Sequence, residues 1–296
     1  MTIALDVAYA APTSLGDALG LLADGSRSTV LLAGGTDVVA QLRDDVIQPT
    51  RLVDLKRIPG LASIELREGA LHLGCLVTFS DLLASDPVQD RFPGLEEMAR
   101  LVASVGIRNR ATIVGNICSA VPSCDAGPVL LTHDAVVHTA GPVGERAIPI
   151  DQWFLGPRRT AIEQDEIVTH LTIPVPRSHH GAAYARLSRT RGEDLAQASV
   201  AVLLEPGHRE RVAFGAVAGS ALRARRIEAL LAESEVDEDT IDRAVALVHD
   251  EVAPITDVRA TARYRLRMCE VMLRRAVAAA TGRAAGDGPR YDVTLM

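Results

Sequence analysis

Two short loops hold the residues best suited to chemistry. In Leu31-Leu32-Ala33-Gly34-Gly35-Thr36-Asp37-Val38 an apolar run stops at paired glycines, a hydroxyl and a carboxylate, and apolar residues then resume. Paired glycines after a strand let the backbone approach a ligand closely and aim several N–H groups at one point, which suits a phosphate. A second loop of this kind stands at Ala111-Thr112-Ile113-Val114-Gly115-Asn116. The run that follows, Ile117 to Pro128, carries Ser119, Ser123 and Asp125 among small residues, making a poor core but a good polar wall. The residues alone leave two readings open. Both loops are ordinary turns, or together they cradle a ligand with two phosphates and polar appendages, such as FAD.

Other chemistries lack their residues. There is no Gly-x-Ser-x-Gly, no HExxH, no P-loop lysine and no GxGxxG. The four cysteines, Cys75, Cys118, Cys124 and Cys269, include no CxxC, and only Cys118 and Cys124 are close in sequence. That argues against a thiolate metal or iron–sulfur site in this chain and for reduced, buried thiols in a cytoplasmic protein. His179-His180 read as exposed loop residues rather than ligands. A net charge of −7 disfavours nucleic acid or an anionic membrane as the main partner. No apolar run approaches the roughly 20 residues of a membrane helix, and Met1 to Ala11 lacks the basic region of a secretory signal.

The elements that must position these loops follow from periodicity. At 296 residues the chain suggests two domains, with a core of Ala, Val, Leu and Ile because aromatics make up only 3%. Ser14 caps a helix through Leu15, Leu19 and Leu22, closed by Asp24-Gly25. The strand Thr29 to Ala33 leads into the first loop, and Arg51 to Leu55 reads as a buried strand. Ser63 to Arg67 and Ala70 to Gly74 form a hairpin around Glu68-Gly69, and Thr78 and Asp81 make a capping box. A helix is expected over Leu95 to Val105, and Trp153 reads as packing. The strand Ile167 to Ile173 stops at Pro174-Val175-Pro176, the expected domain boundary. Three strand-like runs (Ala182–Leu187, Ala198–Leu204, Arg211–Val217) and three amphipathic helices follow, then a loose tail from Gly286. This order is mixed α+β, not a doubly wound sheet.

Ala33-Gly34-Gly35-Thr36-Asp37 with Leu52-Val53-Asp54-Leu55, and Ile107-Arg108-Asn109-Arg110-Ala111-Thr112-Ile113-Val114-Gly115-Asn116, resemble the FAD-binding subunit of the molybdenum hydroxylases. That family includes the medium subunit of CO dehydrogenase and the FAD subunit of xanthine dehydrogenase. Ser123-x-Asp125 with Pro128, Tyr184-x-Arg186, Arg191-x-x-Asp194-Leu195-Ala196, Gly215-Ala216-Val217-Ala218 and Arg223-Ala224 are similar as well, so the likeness spans roughly residues 5 to 282.

The resemblance implies an α+β fold: an FAD-binding PCMH domain of the vanillyl-alcohol-oxidase type, with two α+β subdomains, over residues 1–176. A CO dehydrogenase flavoprotein-like C-terminal domain, a three-stranded antiparallel sheet plus a three-helix bundle, would occupy 177–285, before a flexible tail at 286–296. Leu31, Leu32, Ala33, Gly34, Gly35, Thr36, Asp37 and Val38 would wrap the FAD pyrophosphate with backbone amides. Thr112, Val114, Gly115 and Asn116 would form the second wall, with Val102, Ile107, Ser119 and Ser123 as further cofactor contacts. Asp125 would hydrogen-bond ribityl or ribose hydroxyls, Thr169 would touch the flavin ring by its backbone, and Arg186 would sit near the isoalloxazine. No catalytic residue and no metal ligand is assigned to this chain.

The same likeness implies electron transfer within a complex, a dimer of heterotrimers. A large molybdopterin subunit oxidises the substrate, a small subunit carries 2Fe–2S clusters, and FAD passes electrons to an external acceptor such as NAD or a quinone. The rivals are a stand-alone flavin oxidoreductase of this fold and a scaffold subunit with a decayed flavin site. Two positions depart from the family. Arg186 replaces a lysine and keeps its charge. Val114 stands where the family has the first glycine of Thr-x-Gly-Gly-Asn. If that position needs φ > 0, a β-branched residue costs about 1–2 kcal/mol; if it needs only a small profile, Val114 crowds the pyrophosphate. FAD is expected to bind in either case, and any weakening would originate here.

Overall fold

The computed structural model describes residues 7–295 apart from 26, 27, 191, 208 and 292. Arg191 therefore lies outside the described residues. The first domain holds two sheets. Strands Ala8–Ala10, Arg51–Asp54 and Thr29–Leu32 form a parallel sheet with Arg51–Asp54 central. Helices Leu15–Ala23 and Thr36–Arg43 make its crossovers. As expected, the Ser14 side chain caps the first of these by accepting from Asp17 N. The second sheet is antiparallel, in the order Ile64–Arg67, Ala70–Gly74, Ile167–Pro174, Val136–Gly141, Gly144–Pro149. The hairpin at Glu68-Gly69 forms as the sequence indicates, with both residues at positive φ (53° and 75°). The Thr78–Asp81 capping box is present, and Trp153 is fully buried with its Nε1–H donating to Ile117 O at 3.1 Å.

The second domain differs from expectation in three ways. Its antiparallel sheet has four strands, because Leu222–Arg223 pairs with Arg211–Gly215 beyond Gly181–Leu187 and Ala198–Leu204. Two-residue strands carry too short an alternation to be seen in sequence. The last helix runs from Ala262 to Ala285, well past the arginines at 274–275, and ends on Gly286 at φ 89°. The described part of the tail is anchored rather than loose: Arg283 Nε donates to Pro289 O at 2.8 Å, and its guanidinium lies 4.0 Å over the Tyr291 ring. In the first domain the expected helix Leu95 to Val105 is also broken. Pro93–Leu101 is one helix, Ala103 sits at φ 38°, and Val105–Arg108 is another.

The four-stranded sheet is buried on both faces, so its strands are apolar almost throughout. Ala183, Ala185, Val200, Val202 and Phe214 face the domain's own helices, while Tyr184, Ala201 and Ala213 join the core of the first domain. Close approach is enforced at Gly181, where a Cβ would lie 1.8 Å from Ala280 O of the long helix. The domains are also joined by buried charge. Glu97 on helix Pro93–Leu101 accepts from Tyr184 N at 2.6 Å and from Arg283 Nη1 and Nη2 at 3.1 and 2.9 Å. Removing one member of a buried pair leaves the other uncompensated. Arg283→Ala is expected to lower unfolding free energy by about 3–5 kcal/mol, read from urea denaturation, with Glu97→Ala/Arg283→Ala less damaging than the sum of the singles.

On the outward face of the five-stranded sheet, His138, His170 and His72 form a row. The His138 and His170 rings stack at 4.2 Å, and His72 lies 5.9 Å from His170. Among the described residues no His/Cys/Asp/Glu group is placed to hold a metal ion. Burial lowers all three pKa values, and like-charge repulsion along the row helps bring His170 to about 4. Arg67 acts in the same direction, while Glu65, Glu68 and Glu145 oppose it. The unfolded chain binds these protons more readily, so the row favours the fold above about pH 6.5 and that contribution is lost as pH falls towards 4. His170→Asn is expected to make unfolding free energy fall less steeply between those pH values, measured by urea titration at each pH.

Candidate cofactor site

Both loops lead directly into helices, which the sequence reading did not anticipate. The strand Thr29–Leu32 ends, Ala33 and Gly34 follow, and Gly35 at φ 80° is the N-cap of Thr36–Arg43. The first intrahelical bond is Val39 N to Gly35 O, so the amides of Thr36, Asp37 and Val38 have no acceptor within the helix. The second loop is likewise a helix start. Thr112 is the N-cap of Ile113–Ser119, its hydroxyl accepting from Gly115 N at 2.9 Å. That leaves Val114 N pointing from the first turn, since Ile113 N is bonded to Val77 O and Asn116 N to Thr112 O. Each start carries partial positive charge from its helix dipole.

The two loops meet at Gly34. A Cβ there would stand 2.0 Å from Arg110 O and 3.2 Å from Ala111 Cα, so only glycine lets the backbones touch. The first loop is held from behind as well. Lys56 Nζ bonds Ala33 O at 3.1 Å and Asp54 Oδ1 at 2.8 Å, and Asp54 also accepts from Tyr9 OH at 2.7 Å. This gives Asp54 of the Leu52-Val53-Asp54-Leu55 segment a positional role. The second loop is stitched to the neighbouring cap by Phe79 N to Ala111 O at 3.1 Å.

Between the two helix starts lies a cleft of about 330 Å³, within the range of cofactor sites. Leu31, Ala33, Gly34, Gly35, Thr36, Asp37 and Val38 line one wall, and Thr112, Val114, Gly115, Asn116 and Ser119 the other. The sequence reading missed its floor, made of Leu55, Cys75, Cys118, Ile162, Ile167 and Val168, and Gln41 on the first helix. Cys75 could have been found from its place just after the hairpin strand, where its N–H donates to Thr169 O at 2.9 Å. Burial pushes both Cys75 and Cys118 thiols up to about 12, so they are neutral and inert.

Several expected contacts are elsewhere. Leu32 packs beneath Gly35 rather than lining the cleft. Val102 is buried in the core, with its carbonyl accepting from Arg108 Nη1 at 2.7 Å. Ile107 supports the second loop, its carbonyl bonded to Arg110 N and Ala111 N. Ser123 lines a different hollow. Asp125 does not face the cleft: its carboxylate accepts from Tyr184 OH at 2.9 Å and Arg186 Nε at 2.8 Å, joining the domains. Burial raises its pKa, and the Arg186 guanidinium opposes the rise. Arg186 is correspondingly committed to Asp125 and to Asp194 O, away from the cleft lining. Thr169 is the extra residue of a β-bulge, with its carbonyl engaged by Cys75 N and its hydroxyl donating to His138 O; its neighbours Ile167 and Val168 reach the cleft instead. Val114 is not strained. It lies in a right-handed helical turn, outside the residues of positive φ, and is packed in the core. The φ > 0 concern therefore does not apply.

A glycine-only backbone contact, amides without acceptors at two helix starts, and an apolar floor fit a dinucleotide held by its pyrophosphate. Thr36, Asp37 and Val38 amides on one side and the Val114 amide on the other would hold it. Comparison with known proteins agrees. Residues 5–176 match the family model described as the FAD binding domain in molybdopterin dehydrogenase, and residues 182–280 the CO dehydrogenase flavoprotein C-terminal domain. The carbon monoxide dehydrogenase medium chain of Afipia carboxidovorans is 33% identical over 279 residues, covering 93% of this chain and 97% of that protein. The xanthine dehydrogenase FAD-binding subunit of Escherichia coli O157:H7 is 31% identical over 284 residues, covering 94% and 97%. Among solved structures, CO dehydrogenase from Hydrogenophaga pseudoflava, in a form lacking the Mo-pyranopterin moiety of its molybdenum cofactor, superimposes with a TM-score of 0.90 at 33% identity, covering 94% of this chain and 98% of that one. The chain belongs to the FAD-binding subunits of the molybdenum hydroxylases, a family of oxidoreductases.

Proposed function

We propose that this chain is the electron-transfer subunit of a cytoplasmic heterotrimeric molybdenum hydroxylase, assembled with a small 2Fe–2S subunit and a large molybdopterin subunit as a dimer of heterotrimers. Bound FAD supplies redox chemistry that accepts electrons from the partner's clusters and hands them to an external acceptor such as NAD or a quinone. The observation that carries this reading is the clasp itself: two helix starts locked together at Gly34 and Arg110 over an apolar floor. Residues of this chain bind and orient rather than react. The ionisable side chains lining the cleft are Asp37, Cys75 and Cys118, and both thiols are neutral. With no acid/base pair over the cleft among the described residues, direct chemistry on a small substrate lacks a proton donor there, which disfavours a stand-alone flavoenzyme. Val114 in an unstrained helical turn takes away the backbone-strain motive for a decayed site, while its side chain still lines the cleft.

Substitution at the clasp tests cofactor binding. Gly34→Ala would drive a Cβ into Arg110 O, so FAD affinity is expected to fall at least about tenfold, measured by titrating the apoprotein and following the visible flavin absorbance. Unchanged affinity would sink the assignment of this loop. Purification from the native host tests the assembly. Iron, molybdenum and two further chains are expected to accompany the protein; a lone yellow chain would indicate the stand-alone enzyme, and a colourless chain that takes up no added FAD would indicate a scaffold.

A further inference from the structure

Lys56 does not line the cofactor cleft, yet its ammonium is tied to the loop that forms one wall of it. Its place follows from the parallel sheet. Leu32 is paired with Asp54 at the end of the ladder, so the two chains leave the sheet side by side. Asp54 then caps the short turn Leu55–Arg57, its Oδ1 accepting from Lys56 N at 3.0 Å. That turn leaves Leu55 on the cleft floor and brings Lys56 Nζ to Ala33 O at 3.1 Å and Asp54 Oδ1 at 2.8 Å. The other carboxylate oxygen accepts from Tyr9 OH at 2.7 Å. Burial would raise the Asp54 carboxyl, but the Lys56 ammonium, the Lys56 amide and the Tyr9 hydroxyl together hold it below the ordinary carboxylate value. Lys56 therefore faces a charged partner at neutral pH.

The two ends of the Ala33–Gly34 peptide are treated differently. Ala33 O accepts from Lys56 and, among the described residues, from no backbone N–H. Gly34 N, at the other end, has no acceptor among the described residues. The peptide is trans, so its N–H points opposite to its carbonyl and hence away from Lys56. Ala33 and Gly34 both line the cleft, and the lysine stands outside it. The N–H is thereby on the cleft side of the loop, just before the free amides of Thr36, Asp37 and Val38.

This orientation needs an anchor. Glycine adopts either sign of φ readily, so a peptide that ends on Gly34 can turn over at little steric cost. Turned over, it would aim a carbonyl oxygen rather than an N–H at an anion in the cleft. The contact of Arg110 O with Gly34 fixes where the loop sits, but not which way the preceding peptide faces. The ammonium on Ala33 O does fix it. A hydrogen bond from a charged donor is roughly twice as strong as a neutral one. It also polarises the peptide it holds, which makes the N–H at the other end a better donor.

We propose that Lys56 is a positioning residue for the phosphates of the cofactor. By holding Ala33 O it keeps the Gly34 N–H turned to the cleft as a further phosphate donor, and Asp54 and Tyr9 hold the lysine in place. The inference rests on the reading that FAD occupies this cleft.

Titration of the full-length apoprotein with FAD and with riboflavin, which has the flavin ring and ribityl chain but no phosphate, tests it. Lys56→Met is expected to weaken FAD binding about tenfold while riboflavin behaves alike with variant and wild type. Lys56→Arg, which keeps the cation, should retain most of the FAD affinity. Asp54→Asn/Lys56→Met leaves no carboxylate unpaired and should bind FAD as weakly as Lys56→Met does. Three results overturn the proposal: unchanged FAD affinity in Lys56→Met, an equal loss for FAD and riboflavin, or recovery of wild-type affinity in the double variant. The second would mean that the loop has simply come apart, and the third that an unpaired Asp54 caused the loss. Wild-type protein that takes up no FAD would remove the cofactor reading and this inference with it, whereas unchanged affinity in Lys56→Met removes this inference alone.

Discussion

The structure of the cofactor cleft depends on one backbone contact. Arg110 O approaches the Cα of Gly34 so closely that a methyl group there would overlap it. The contact brings two helix starts from distant parts of the chain to one cleft, and each contributes amides that its own helix cannot satisfy. Charge on a bound ligand would therefore be met by backbone, since among the described residues no arginine or lysine lines the cleft. Such a site needs no mobile cation, and its floor is apolar and inert.

The second domain is tied to this clasp through Tyr184. Its amide donates to Glu97 and its hydroxyl to Asp125, so one residue of the four-stranded sheet bonds helix Pro93–Leu101 and the loop before helix Ala126–Thr132. Arg283 and Arg186 each complete one of those carboxylates from the second domain. Buried charges in the first domain are thus neutralised by the second. Breaking either pair would expose a low-dielectric interior to an unpaired carboxylate. The arrangement explains why Asp125 and Arg186, both polar and both near the expected flavin, turn to one another instead of to the cleft.

Much of the fold was legible in the sequence for local reasons. Period-two alternation around Glu68-Gly69, the Thr78–Asp81 box and the proline-bounded strand Ile167–Pro174 each record a local constraint, and each appears in the structure. What escaped was short or cooperative. The helix Ile113–Ser119 was hidden by its glycine and small polar residues, and helix Thr36–Arg43 by the glycines that introduce it. The strand Leu222–Arg223 exists only because Arg211–Gly215 lies beside it. The anchored tail depends on Arg283, which lies on a helix whose length periodicity understated.

For the site the division is similar. The sequence by itself located two glycine-bearing loops able to present backbone to an anion, because residue type alone decides where a chain can lack a Cβ, and left open whether they were ordinary turns. It also determined the family, through segments spread along nearly the full length. Only the tertiary structure decided which polar side chains line the cleft, because burial makes a carboxylate seek the nearest cation wherever the fold puts one. Asp125 found Arg186 across the domain boundary, Thr169 became a bulge, and Cys75 and Cys118 came together on the floor from separate elements. The conformation of Val114 was decided there too: sequence could state the φ at which it would be strained, and the helix it begins removed that condition.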